Sequence, residues 1–184
     1  MPLRRLLLAP ACLLLAACGA AQQPSGAVST ATGVPTSAPT SAPGCVTKVA
    51  ARDIWTRIDN RLNAIALDPK HQGLSDVATG TALSDIQSYI QTTLVAKNLT
   101  EREVDTLDSL TVTDAACTGN SLQLTVASTV KQDDYLKPDG SVDHADSAVG
   151  TQLHLVETFD RVNGVWKESS IGDAGGTSPS PQVV

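Results

Sequence analysis

Residues 149–171, VGTQLHLVETFDRVNGVWKESSI, decide the fold. Val149, Thr151, Leu153, Leu155 and Phe159 fall on one face at two-residue spacing, the mark of a long strand with one side buried. Asn163-Gly164 then stands between Val162 and Val165, a two-residue turn whose residues tolerate left-handed backbone and join antiparallel strands. A last strand follows from Val165 to Ile171, with Trp166 inside it. Upstream, Leu122, Leu124, Val126, Ser128 and Val130 alternate without a break, and Leu110 and Val112 alternate with threonines. Residues 131–148 are polar and carry Pro138-Asp139-Gly140, a turn signal.

Before about residue 103 the period is helical. Ala51, Ile54, Trp55, Ile58, Leu62 and Ile65 form one stripe, with Arg52, Asp53, Arg57, Asp59, Asn60 and Arg61 largely off it. Asp68-Pro69 ends that helix, because the residue before proline avoids helical backbone. Leu74 to Gly80 forms one or two turns. A second helix is expected from Ala82 to about Lys97, with Thr81 as its first cap, Leu83, Ile86, Ile90 and Leu94 on its buried side and Asn98 as its last cap. Helices followed by antiparallel strands give an α+β domain over 45–171.

The chain opens MPLRRLLLAPACLLLAAC. A short basic start and an apolar run too short to span a bilayer, which takes about 20 residues, match a signal peptide over 1–17. Leu15-Ala16-Ala17-Cys18 resembles the lipobox of bacterial lipoproteins. That resemblance implies lipidation of Cys18, cleavage before it, and anchoring on the extracytoplasmic side of the cell membrane. Residues 18–44 hold no charged or aromatic side chain. Built from Pro, Ser, Thr, Gly and Ala, they cannot offset the entropy of ordering, so a disordered tether is expected, with a reach of about 25–30 Å. Residues 172–184 read as a similar tail.

The 13 basic and 19 acidic residues give a net charge of −6. Loss of Arg4 and Arg5 with the leader leaves 11 against 19, or −8. An acidic surface disfavours nucleic acid and anionic lipid, leaving the anchor at Cys18 to hold the protein on the membrane.

The stretch 46–171 resembles small actinobacterial lipoproteins with a nuclear-transport-factor-like, or SnoaL-like, cone fold. The likeness rests on Ala66 to Pro69, the turn Leu74-Ser75-Asp76-Val77-Ala78-Thr79-Gly80, the helix from Ala82 and the segment Asn163-Gly164-Val165-Trp166-Lys167. It implies helices packed into a curved antiparallel sheet, either enclosing a ligand pocket or filled. Enzymes of that superfamily place an acid, often with a histidine, inside the cone. Here Glu157 shares the parity of Leu153, Leu155 and Phe159, whereas His154 has the opposite parity.

Trp55, Glu157 and Trp166 are therefore the pocket-lining candidates, with core packing the plainer reading of the two tryptophans. His71, His144 and His154 lack metal-site spacing. His144 with Asp139, Asp143 and Asp146 reads as a solvated acidic loop, and Asp133-Asp134 as surface. No phosphate loop or nucleophile elbow is present, and no cofactor or metal is expected.

Four cysteines are present. Cys12 leaves with the leader and Cys18 takes lipid, so Cys45 and Cys117 are expected to pair in the oxidising space outside the membrane. The expected function is that of a non-enzymatic, membrane-anchored surface lipoprotein that binds or assists an envelope protein or small ligand. The alternatives are a cone-fold small-ligand carrier or enzyme, and a prophage-encoded lipoprotein that blocks superinfection.

Overall fold

The computed structural model describes residues 45–117 and 119–174. Cys18, the leader, the segment up to residue 44 and residues 175–184 lie outside them. Helix α1 spans Lys48–Leu67, helix α2 spans Gly80–Tyr89, and the strands are β1 (Thr100–Asp114), β2 (Ser121–Leu136), β3 (Val142–Ala145), β4 (Gln152–Val162) and β5 (Val165–Asp173). The fold is α+β: two helices on one five-stranded antiparallel sheet of order β1-β2-β4-β5, with β3 added to the far end of β2.

Helix α1 forms where the stripe places it. Thr47 caps it by accepting from the Ala50 amide at 3.2 Å, and Asp68 ends it. Ala51, Trp55, Ile58, Leu62 and Ile65 are buried, and Ile54 packs at the edge of the same core. The second helix departs from its sequence reading. Thr79, not Thr81, is its cap, and after Tyr89 the chain widens into a π-helix over Ile90–Val95. Its end is as read: Asn98 takes left-handed backbone at φ 53°. Tyr89, three residues after Ile86 in the regular helix, joins Ile86, Ile90 and Leu94 on the buried side.

Bulges set the phase of the sheet. The β1–β2 register shifts between Val104 and Asp105, between Leu107 and Ser109, and between Val112 and Asp114. Each shift bends the ladder and turns the following side chains over. The polar stretch read as 131–148 is partly strand: β2 runs on to Leu136, and His144 sits in β3 rather than in a loop. At the other end β5 continues through Gly172 and Asp173, two residues past the expected start of the tail. Among the described residues no helix is long and apolar enough to cross a membrane.

Two of the four described glycines with positive φ carry unequal expected costs. Asn163 and Gly164 turn the β4–β5 hairpin at φ 51° and 82°, with Val162 opposite Val165. A Cβ at Gly164 meets open space, so Gly164→Ala should cost only backbone strain, about 1 kcal/mol. Gly80 also has positive φ, 55°, but a Cβ there lies 2.9 Å from the Ser169 carbonyl oxygen. Gly80→Ala should therefore cost more, on the order of 3 kcal/mol. Urea unfolding of both variants checks the order; equal losses would mean that the α2–β5 contact yields freely.

Candidate functional site

The helix-covered face of the sheet is apolar over most of its area and acidic at one end. On β2, Leu122, Leu124, Val126, Ser128 and Val130 point inward, as the alternation requires. At Lys131 the strand carries one residue more than β1, because Val104 pairs with Gln132 and Asp105 with Val130. Parity inverts there, so Asp133 and Tyr135 turn inward instead of Gln132 and Asp134. Asp133 is 0% exposed, which corrects the reading of Asp133-Asp134 as surface. Asp134 keeps the surface role and holds Arg102 at 2.8 Å. On β1, Glu101 and Glu103 lie opposite Tyr135 and Asp133, and Glu101 is 1% exposed.

These groups form a buried hydrogen-bonded chain with Tyr89. The Tyr89 hydroxyl donates to Glu101 Oε2 at 2.9 Å and lies 2.8 Å from the Tyr135 hydroxyl. Since the Tyr89 proton goes to Glu101, the Tyr135 hydroxyl must be the donor to Tyr89. The ring of Tyr135 stacks on His144 of β3, centroids 4.4 Å apart and planes at 11°. His144 in turn meets Asp143 at 2.8 Å near solvent.

Burial, followed by the charge of Asp133, pushes the Glu101 carboxyl up to about 8, against the opposing effect of the Tyr89 hydrogen bond. Burial pushes Tyr135 up to about 12 and Tyr89 still further up, the latter aided by Glu101. At neutral pH Glu101 is thus mostly a neutral acid. The chain can hold a proton out of water and fasten β3 to the sheet through Tyr135.

Glu157 lies on the predicted face and is 0% exposed, flanked by buried Leu155 and Phe159 and paired with Leu124. His154 is exposed on the opposite face, where its Nε2 lies 3.1 Å from Gln152 Oε1. Trp55 is buried, and Trp166 packs partly buried against the same apolar cluster. The Trp166 carbonyl accepts from Arg57 at 3.0 Å, joining β5 to α1.

Glu168 escaped the sequence reading. A bulge at Thr158/Phe159 sets it opposite Phe159 and buries it completely. Its backbone grips the 77–79 turn, with the Thr79 amide donating to its carbonyl and its own amide to Val77, both at 2.8 Å. Only a bulge signal could have revealed this, and none is visible in GVWKESSI.

The acidic loop residues serve their own turns. Asp139 accepts from the Ser141 amide and hydroxyl, which holds it below the usual carboxylate range, and Asp146 accepts from the Ala148 amide at 2.8 Å. Asp143 is lowered by His144 and then Lys137. His71 is exposed and bonded to Asp68. Among the described residues no group of three His, Cys, Asp or Glu is placed to share a metal ion.

The structure brings Cys45 and Cys117 together at the surface. Their sulfurs are 2.03 Å apart and their Cα atoms 4.0 Å apart, the latter just under the usual range of roughly 4.4–6.8 Å. Beside them the Val46 amide donates to the Ala115 carbonyl at 2.8 Å, so the start of α1 is laced to the end of β1.

Neither a protein-family model nor a curated protein matches the sequence. Several solved structures are similar in fold. The intermembrane space region of the chloroplast protein ARC6 is 13% identical, with a TM-score of 0.51, over 70% of this chain and 96% of that one. Aln2 from a Streptomyces species is 14% identical, with a TM-score of 0.47, over 68% and 90%. A Caulobacter vibrioides protein with a cystatin-like fold is 11% identical, with a TM-score of 0.36, over 67% and 90%. At such identities the likeness concerns architecture alone: helices laid on one face of an antiparallel sheet.

Proposed function

We propose that the chain is a non-enzymatic lipoprotein of the bacterial envelope, anchored by lipid on Cys18, whose cone-like domain binds or assists another envelope component. Kinship with actinobacterial cone-fold lipoproteins belongs to the same proposal. The observation that carries it is the exposed, disulfide-compatible pair Cys45–Cys117, placed where the uncharged segment ends and the domain begins. Such a pair suits an oxidising compartment. Leu15-Ala16-Ala17-Cys18 supplies the route there.

The non-enzymatic part is supported by the separation of the two strongest acid–base candidates. Glu157 is buried among core side chains, and His154 stands on the other face of the same strand. The acidic balance argues against nucleic acid as a partner.

Cys18→Ser tests the proposal. In bacteria fed labelled palmitate, the wild-type chain should take up label and begin at Cys18, and the variant should take up none. Label persisting in the variant, or a mature terminus elsewhere, would overturn it.

A further inference from the structure

A cavity of about 290 Å³ lies between the first turns of α1 and residues 107–111 of β1, lined by Lys48, Arg52, Leu107, Asp108, Ser109, Leu110 and Thr111. From this groove we infer a binding site for a phosphate ester. The inference deepens the proposed binding role and rests on it for the groove's position near the membrane.

The charge pattern is unusual for this chain. Lys48 and Arg52 stand four residues apart on one helix face, where like charges repel. Neither enters an ion pair among the described residues. Acidic residues outnumber basic ones 19 to 13, so partners are plentiful elsewhere on the molecule. Of the lining residues only Asp108 is acidic, and its carboxylate is engaged across the sheet by the Thr129 hydroxyl at 2.6 Å and Gln152 Nε2 at 2.9 Å.

The helix terminus itself is not the anion site, because Thr47 already caps it. What remains is a guanidinium suited to two phosphate oxygens, an ammonium beside it, a leucine floor for the ester carbons, and the Ser109 and Thr111 side chains at the rim. The volume suits a headgroup-sized ligand. Lys48 follows three residues after Cys45, so in an anchored protein the groove sits where the tether joins the domain, within about 25–30 Å of the bilayer. The phosphate ester can therefore come from a phospholipid headgroup or from a soluble ligand.

Lysine footprinting distinguishes the sources. The lipidated full-length product is placed on digalactosyldiacylglycerol vesicles, which carry no phosphate, and acetylated briefly, and each lysine is read by peptide mass spectrometry. One arm adds phosphatidylglycerol to the vesicles; the other adds inorganic phosphate to plain ones. Lys48 should be protected several-fold in at least one arm, while Lys70, Lys97 and Lys167 change little. Protection by phosphatidylglycerol alone assigns the headgroup; protection by inorganic phosphate assigns a soluble ester. Arg52→Gln, at an exposed position, should keep the wild-type melting curve and lose the protection. No protection in either arm, equal protection at all lysines, or full protection in Arg52→Gln would overturn the site. If the chain fails to associate with vesicles at all, the anchoring proposal falls instead, and the inorganic phosphate arm on free protein still decides the groove.

Discussion

Replacing Cys45 and Cys117 together with serine is expected to lower the unfolding free energy by about 4 kcal/mol. The two residues are 72 apart in sequence. A bond between them denies the unfolded chain the freedom of a long loop, and loop length enters only logarithmically, so a long loop gives a large but bounded effect. For a domain of this size the melting temperature should fall on the order of 15 °C. The Val46–Ala115 hydrogen bond should fray with it, and hydrogen exchange should rise first in the opening turn of α1. Differential scanning calorimetry of the double variant, and of wild type with and without reductant, checks this. An unchanged transition, or both thiols open to alkylation in denaturant without prior reduction, would show that the pair is not bonded.

The second large effect is a pH dependence opposite to that of ordinary salt-bridged acids. The folded-state pKa of Glu101 is raised to about 8 from an ordinary 4.5. Between those values the native state holds a proton that the unfolded chain releases, so stability must fall as pH rises. The contribution is fully present below about 4.5, declines through the interval and levels off above about 8. Glu101→Gln keeps an acceptor for Tyr89 without an ionisable proton. It should flatten the slope, matching wild type near pH 4 and exceeding it by a few kcal/mol near pH 9. Urea unfolding across that range reads the difference directly. A slope unchanged in the variant would assign the titration to another group.

The sequence disclosed the parts of this fold that rest on uninterrupted period. The stripe from Ala51 to Ile65, the alternation from Leu122 to Val130 and the Asn163-Gly164 turn needed no tertiary information. Each is local, and the structure has them where the pattern put them. Glu157 was legible for the same reason, since β4 keeps its alternation against β2 from Leu155 to Phe159 and the extra residue of the β4–β5 bulge lies on β5.

What stayed hidden lies mostly beyond a change of phase. Tyr89 is the exception: it stands at helical spacing from Ile86, but the apolar stripe of the sequence runs through Leu83, Ile86, Ile90 and Leu94 alone, and the π turn that follows has no signature in SYIQTTLV. Asp133 and Tyr135 lay past the bulge at Lys131, in a stretch polar enough to pass for a loop. Glu101 failed to signal burial because its inward neighbours Glu103 and Asp105 are also acids. Hydrophobic alternation cannot flag a face lined by carboxyl groups. The approach of Cys45 to Cys117 needed no phase, only a count of the thiols left after the expected leader and lipidated cysteine.

The bulge at Lys131 also determines where this protein can change length during evolution. Lys131 is exposed, and its side chain could be exchanged at little cost. Its presence as a residue is equally dispensable to the phase. Deleting it would remove the bulge and leave plain alternation, with Val130 inward, Gln132 outward and Asp133 and Tyr135 still inward. Deleting Asp134 would instead turn Tyr135 to the other face and break the chain to Tyr89, so one lost codon there would undo more than most missense changes. Around Gly140, where the chain only turns back toward β3, a gain or loss of one residue leaves that parity untouched. Homologues should therefore vary in length at 137–141 and at the bulge, and keep a fixed spacing between Asp133 and Tyr135.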